Sequence, residues 1–161
     1  MIRFPLGDWS ITEQHLSWLS SRLPENKTIL ELGSGNGTYH LCVNWKVFSV
    51  EHDPRFLHRH GSSTYIHAPI VDGWYDVQVL KSQLPKHYDL LIIDGPPGTI
   101  GRTKMLEHLD LFCLDVPIMV DDTHRIAERK IATELGKLLD RKPLITMCKD
   151  GRSFAVLDYE K

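Results

Sequence analysis

The spacing of apolar residues changes several times along the chain, and each change marks an element. Ile11, His15, Trp18, Leu19 and Leu23 recur at helical spacing, which predicts an amphipathic helix from Ile11 to Leu23. Ser10 followed by Glu13 has the capping-box pattern at its start, and Pro24 closes it. The short apolar run Thr28-Ile29-Leu30-Glu31-Leu32 then stops at a glycine cluster, as a buried strand entering a tight turn does. Thr38 to Val43 begins a second helix, Lys46 to Val50 forms a second strand and Thr64 to His67 a third. Tyr88 to Asp94 has the continuous apolar core of a strand buried on both faces, and Val116 to Val120 repeats it. Between Arg125 and Leu139, the residues Ile126, Ile131, Leu135, Leu138 and Leu139 make a helical stripe. Leu144 to Lys149 and Ser153 to Asp158 flank Asp150-Gly151, a hairpin turn signal.

Strands alternating with helices predict an α/β fold: a mostly parallel sheet between two helical layers, with an antiparallel C-terminal hairpin. No repeat, low-complexity stretch or linker divides the chain, so residues 1–161 read as a single domain. A chain of 161 residues buries about two thirds of its unfolded surface and needs no disulfide or structural metal. The net charge of -2, with basic residues scattered, disfavours nucleic acid or an anionic membrane as partner. The densest basic run, Arg55 to His60, reads as a solvated helix face. Cys42, Cys113 and Cys148 are odd in number, widely spaced and without a CxxC pattern, as in a reduced, cytoplasmic protein. Met1 to Pro5 leads into no leader-like apolar stretch, and no apolar run is long enough to cross a bilayer.

In parallel sheets, ligands sit beyond the carboxyl ends of the strands. Here those ends carry Glu31, Glu51, Asp94 and the pair Asp121-Asp122. The loop Glu31-Leu32-Gly33-Ser34-Gly35-Asn36-Gly37 follows a strand and opens a helix, where glycines let the backbone turn tightly against a ligand. Glu51 ends the next strand, where a carboxylate accepts hydrogen bonds from ribose hydroxyls. A dinucleotide fingerprint would need glycine or alanine at Thr38, and Glu31 would oppose a pyrophosphate. A cationic sulfonium ligand with a free amino group is instead favoured by such a carboxylate. Nicotinamide-dependent oxidoreductases, which share the sheet and the ribose carboxylate, are disfavoured on the same grounds.

Glu31 to Gly37 followed by Val50-Glu51-His52-Asp53 resembles motif I and its acidic successor in class I S-adenosylmethionine-dependent methyltransferases. Tyr88 to Gly98, ending Asp94-Gly95-Pro96-Pro97-Gly98, resembles their fourth motif. The likeness runs from about Ile11 to Leu157. It implies a three-layer Rossmann-like fold and S-adenosylmethionine as cofactor. Gly33, Gly35 and Gly37, with Ser34 and Asn36 between them, would line the methionine portion near Glu31. Glu51 would hold the ribose, His52 would lie beside the adenine and Ala68 would close the adenine pocket.

Asp94 ends one strand and Asp121-Asp122 the strand expected beside it. Adjacent strands lie about 4.8 Å apart, so the three carboxylates converge. Clustered carboxylates repel and raise one another's pKa until a cation neutralises them. A divalent metal with oxygen ligands would do so, and so would an ion pair with Arg102 or Arg125. The arrangement is similar to that of metal-dependent O-methyltransferases of the catechol type, and of some sugar O-methyltransferases. That likeness implies Mg²⁺ or another divalent ion on Asp94, Asp121 and Asp122, orienting a substrate hydroxyl and lowering its pKa. The chain departs from it at Gly95-Pro96-Pro97-Gly98, where the catechol-type enzymes usually carry a lysine. Asp94 and His124 are the candidate bases, and Asp94 could instead bond the cofactor's amino end or cap the next turn. Arg102 could meet an acidic substrate, and Trp9, Trp74 and Tyr75 could line a pocket.

The expected activity is methyl transfer to a small hydroxylated molecule. A binding module without activity of its own is the other reading, since no insertion is long enough to form a substrate lid; a homodimer would supply the missing wall.

Overall fold

The computed structural model describes residues 10–60 and 62–159; Trp9, one of the expected pocket aromatics, lies outside them. Seven strands form one sheet: β1 (Thr28–Leu32), β2 (Lys46–Glu51), β3 (Thr64–His67), β6 (Leu90–Ile93), β7 (Ile118–Val120), β8 (Leu144–Met147) and β9 (Ser153–Leu157). Their order is β3-β2-β1-β6-β7-β9-β8. The first five are parallel, and β9 and β8 close the sheet as an antiparallel hairpin. This is the expected α/β architecture. The chain winds outward from β1 to β3 and then returns to β6 on the other side of β1. The gap above β1 and β6 is therefore the topological switch point, where open α/β sheets bind ligands.

Alternation along each strand divides the apolar residues between two cores. Leu30, Leu32, Leu91, Ile93, Ile118 and Val120 face one layer, made of α3 (Val77–Gln83) and α4 (Ile126–Leu139). Ile29, Leu90, Ile92 and Met119 face the other, with α1 (Glu13–Arg22) and α2 (Asn36–Asn44). Strands buried on both faces explain the unbroken apolar runs seen in the sequence.

Several local expectations change. The first helix is capped by Thr12, not Ser10: His15 Nδ1 accepts from the Thr12 N–H at 3.0 Å, while Ser10 is buried beneath α2. The α4 stripe narrows to Ile131, Leu135 and the half-buried Leu139, with Ala132 added, because Ile126 is 90% exposed and Leu138 64% exposed. A small hairpin, β4 (Ile70–Val71) with β5 (Trp74–Tyr75), and the helix α3 were not expected. Both carry readable signals. Asp72-Gly73 has positive φ at both residues (51° and 80°), a tight primed turn. Asp76 caps α3 by accepting from the N–H of Gln78 at 2.8 Å.

Candidate functional site

Parallel register brings the strand ends level. Leu32 lies opposite Val50 and Ile93, and Ile93 opposite Val120. The residues that follow, Gly33, Glu51, Asp94 and Asp121, therefore share one rim. A cavity of about 390 Å³ opens there, walled by Gly33, Ser34, Glu51, His52 and Asp94 on one side and by Arg102, Asp121, Asp122 and Arg125 on the other. Its volume falls at the low end of small-ligand sites.

Gly33 has φ +90°, and a Cβ there would lie 2.9 Å from the Asp94 carbonyl oxygen and 2.9 Å from Gly95 Cα. The loops after β1 and β6 thus touch backbone to backbone, and only glycine fits between them. Gly33→Ala is expected to lower stability by about 1–3 kcal/mol, read as a fall in melting temperature; an unchanged melt would contradict this packing. Gly35, Asn36 and Gly37 do not line the cavity. Gly35 caps α2, its N–H donating to Thr38 Oγ1 at 3.1 Å. Gly37 instead admits α1's leading segment: a Cβ there would meet the Ile11 side chain at 2.9 Å.

Glu31 is also placed differently from expectation. Strand alternation turns it, like Ile29, toward α2, where Oε1 accepts from Thr38 Oγ1 and from Ser49 Oγ, each at 2.6 Å. Burial, opposed by these hydrogen bonds and assisted by Glu51, pushes its pKa from 4.5 up to about 7. Glu31 ties the glycine loop to β2 and forms no part of the cavity wall.

Glu51 does line the cavity and is almost fully buried. Its Oε2 accepts from Ser34 Oγ at 2.6 Å and Ser34 N–H at 3.2 Å. Its Oε1 accepts from the Asp53 N–H at 2.9 Å and pairs with His52 Nδ1 at 3.0 Å. A carboxylate offers about four acceptor positions, so a ribose diol here would exchange with Ser34 Oγ–H and His52. His52 stands on the wall, with Phe56 and Tyr75, which the sequence did not single out for this flank. Ala68 does not: it is fully buried in the core, and only its backbone N–H reaches the site's frame, donating to the Glu51 carbonyl at 2.9 Å. Trp74 is a core residue stacked on His108. Tyr75 is fully buried, lines the cavity, and its hydroxyl has no partner among the described residues.

The three aspartates converge as expected, with one oxygen of each within 4.8 Å of the others. Cations of the chain already sit among them. Arg102, 4% exposed, places Nη2 3.3 Å from Asp94 Oδ1 and 3.1 Å from Asp122 Oδ2. Its Nε donates to the Pro96 carbonyl at 2.9 Å. Arg125 Nη1 is 3.0 Å from Asp122 Oδ2. His15 of α1, stacked on Phe154, holds Asp121 Oδ1 through Nε2 at 3.0 Å. Its Nδ1 accepts from a backbone N–H, so Nε2 carries the proton donated to Asp121. Arg102 and Arg125 already pair with Asp94 and Asp122, and a metal would have to displace a buried guanidinium. The donor set does not fit a resident metal, and the ion-pair alternative is the one the geometry adopts.

The two ends of the cluster titrate in opposite directions. Burial and the neighbouring Asp121 push Asp94 well above the usual carboxylate range, against the pull of Arg102. Asp121 is held below that range although burial opposes it, because His15, the Asp122 N–H and Arg102 favour its anion. His124 is exposed, its Nδ1 accepts weakly from the Ser153 N–H at 3.4 Å, and it is not on the cavity wall. His15 was legible only as a core position, since nothing local signals a partner 106 residues away.

No protein-family model matches the chain, and no curated protein does. Solved structures do. A methyltransferase from Pyrococcus furiosus superposes with a TM-score of 0.59 and 17% identity over 90% of this chain and 82% of that one. A chain of the E. cuniculi Mtq2–Trm112 complex, responsible for methylation of the eRF1 translation termination factor, gives 0.56 and 17% over 93% and 96%. Aeropyrum pernix fibrillarin with natively bound S-adenosyl-L-methionine gives 0.56 and 13% over 89% and 73%. The fold is thus the Rossmann-like fold of class I methyltransferases.

Proposed function

We propose that the cavity binds S-adenosylmethionine and that the chain methylates a hydroxyl of a small acceptor, with Asp94 receiving the proton. The observation that carries this reading is Asp94 itself. It is a cavity-lining carboxyl whose pKa burial and Asp121 raise, at the switch point of a methyltransferase fold. The residues present suit the cofactor: a glycine-only backbone approach at Gly33, an acidic group at Glu51, and an aromatic flank of His52, Phe56 and Tyr75.

Bound S-adenosylmethionine supplies a methyl group on a cationic sulfur. With it bound, an acceptor hydroxyl attacking that methyl group would form O–CH₃ as S–CH₃ broke, and its proton would pass to an Asp94 oxygen. The base is the ionised form of Asp94, and the raised pKa makes that anion a stronger proton acceptor. Arg102 holds Asp94 Oδ1 in place, while the ionised Asp121 favours proton uptake at Asp94. Three free cysteines support a reducing, cytoplasmic setting. Among the described residues no helix is long and apolar enough to cross a membrane.

Calorimetric titration with S-adenosylmethionine tests the reading. The wild type is expected to bind, and Glu51→Ala to weaken binding by about tenfold or more, about 1.4 kcal/mol. Mg²⁺ is expected to leave the affinity unchanged. Asp94→Asn is expected to keep the cofactor but lower S-adenosylhomocysteine release from a panel of hydroxylated acceptors by about 10²-fold or more. Equal loss of cofactor affinity in Asp94→Asn would make Asp94 a cofactor contact instead of the base. Binding without turnover on any acceptor would favour the binding-module reading, and no binding would overturn the proposal.

A further inference from the structure

The edge strand β8 is unprotected. Among the described residues its only sheet neighbour is β9, and Leu144, Ile145 and Met147 are 53%, 47% and 62% exposed. No charge interrupts Leu144 to Cys148, and the nearest proline, Pro143, precedes the strand. Edges are ordinarily blunted by charges, prolines or bulges. A bare apolar edge is a strand waiting for another.

Backbone parity says which partner fits. The Cys148 N–H donates to the Arg152 carbonyl at 2.8 Å, and Leu144, Thr146 and Cys148 lie opposite residues of β9 in the same phase. In an antiparallel pair these groups alternate sides. The N–H and C=O of Ile145 and Met147 therefore point outward, into the free edge. A two-fold-related antiparallel strand can then centre on Ile145, Thr146 or Met147. Centring on Ile145 sets Met147 against Pro143, which has no N–H to give. Centring on Met147 sets Ile145 against Lys149, where the chain has already turned toward Gly151. Centring on Thr146 pairs Ile145 with Met147 of the second copy, and the reverse, and every outward N–H and C=O of both residues is bonded. Ile145 and Met147 share one sheet face, so their cross-strand pairs form one apolar patch on the two-fold axis, with no charge against like charge.

We propose that β8 is a homodimerisation edge, pairing with β8 of a second copy of this chain in antiparallel register about Thr146 to give one continuous sheet. Because the same strand serves both copies, the assembly closes at two.

Sedimentation velocity over a dilution series of the whole chain reads this directly. The wild type is expected to rise with concentration to twice its 18.5 kDa and no further. Met147→Lys is expected to stay at one chain mass with an unchanged thermal melt, since the side chain is already exposed. Thr146→Cys should form a disulfide-linked dimer on mild oxidation, because such facing pairs hold Cα atoms about 4.5 Å apart, within bridging range. Thr133→Cys on the exposed side of α4 should not. A wild type at one chain mass throughout overturns the proposal, whether β8 is bare or covered by another segment of the chain. Masses growing beyond two chains, a dimer that survives Met147→Lys, or a dimer that Thr146→Cys does not cross-link overturn it equally.

Discussion

Arg102→Met is expected to cost about 3–5 kcal/mol of stability at neutral pH, the cost of removing one partner from a buried charge cluster. Arg102 spans Asp94 and Asp122 through Nη2, and its Nε closes onto Pro96. Methionine fills similar volume but leaves two carboxylates facing each other with Asp121 alongside. The loss should depend on pH with a definite sign. Asp94 already has a folded pKa above its unfolded one, and without Arg102 it rises further. A group raised in this way contributes stability that is present at low pH and is lost as pH climbs through the folded value. The deficit of the variant should therefore shrink on acidification and be largest above neutrality. Denaturant unfolding of both proteins at pH 5 and pH 8 checks it, and a deficit independent of pH would remove the charge-balancing role. Mg²⁺ should stabilise the variant, whose carboxylates are freed, and leave the wild type unmoved.

Glu31→Gln should stabilise the protein above pH 7. The folded pKa of Glu31 is about 7, against 4.5 for the ordinary side chain. Its contribution is fully present below 4.5 and is lost as pH rises toward and through 7. At about 1.4 kcal/mol per unit, the change over that window is on the order of 3 kcal/mol. Glutamine keeps a carbonyl oxygen for the Thr38 and Ser49 hydroxyls and carries no charge to bury. The two proteins should therefore match in acid and diverge with rising pH, in the variant's favour. Parallel stability curves would refute the burial argument. Cofactor affinity should not change, because Glu31 does not reach the cavity; a loss would reinstate the direct contact that its place in the glycine loop suggested.

Glu31 shows where reading along the chain stops. Its spacing from Gly33 marks it as part of the ligand loop, but strand alternation decides that it points beneath that loop. Ala68 follows the same rule: its backbone N–H bonds the Glu51 carbonyl beside the cavity, yet its methyl group turns into the core. Gly37 follows a motif but serves the packing of Ile11. The metal expectation rested on three carboxylates that do converge. Its competitor rested on Arg102, and which cation occupied the cluster depended on how the Gly95–Gly101 loop folds back over β6.

The periodicity of apolar residues, the glycine loop after Leu32 and the acidic strand ends determined by themselves the alternating α/β order, the parallel sheet and the rim on which a ligand site must lie. These depend on local patterns, which a chain carries wherever it is read. Tertiary structure alone decided that His15 reaches Asp121, that Arg102 bridges Asp94 and Asp122, and that, among the described residues, no strand but β9 pairs with β8. Each of those depends on residues distant in sequence meeting in a low-dielectric interior, where one side-chain direction or one buried charge outweighs any local preference.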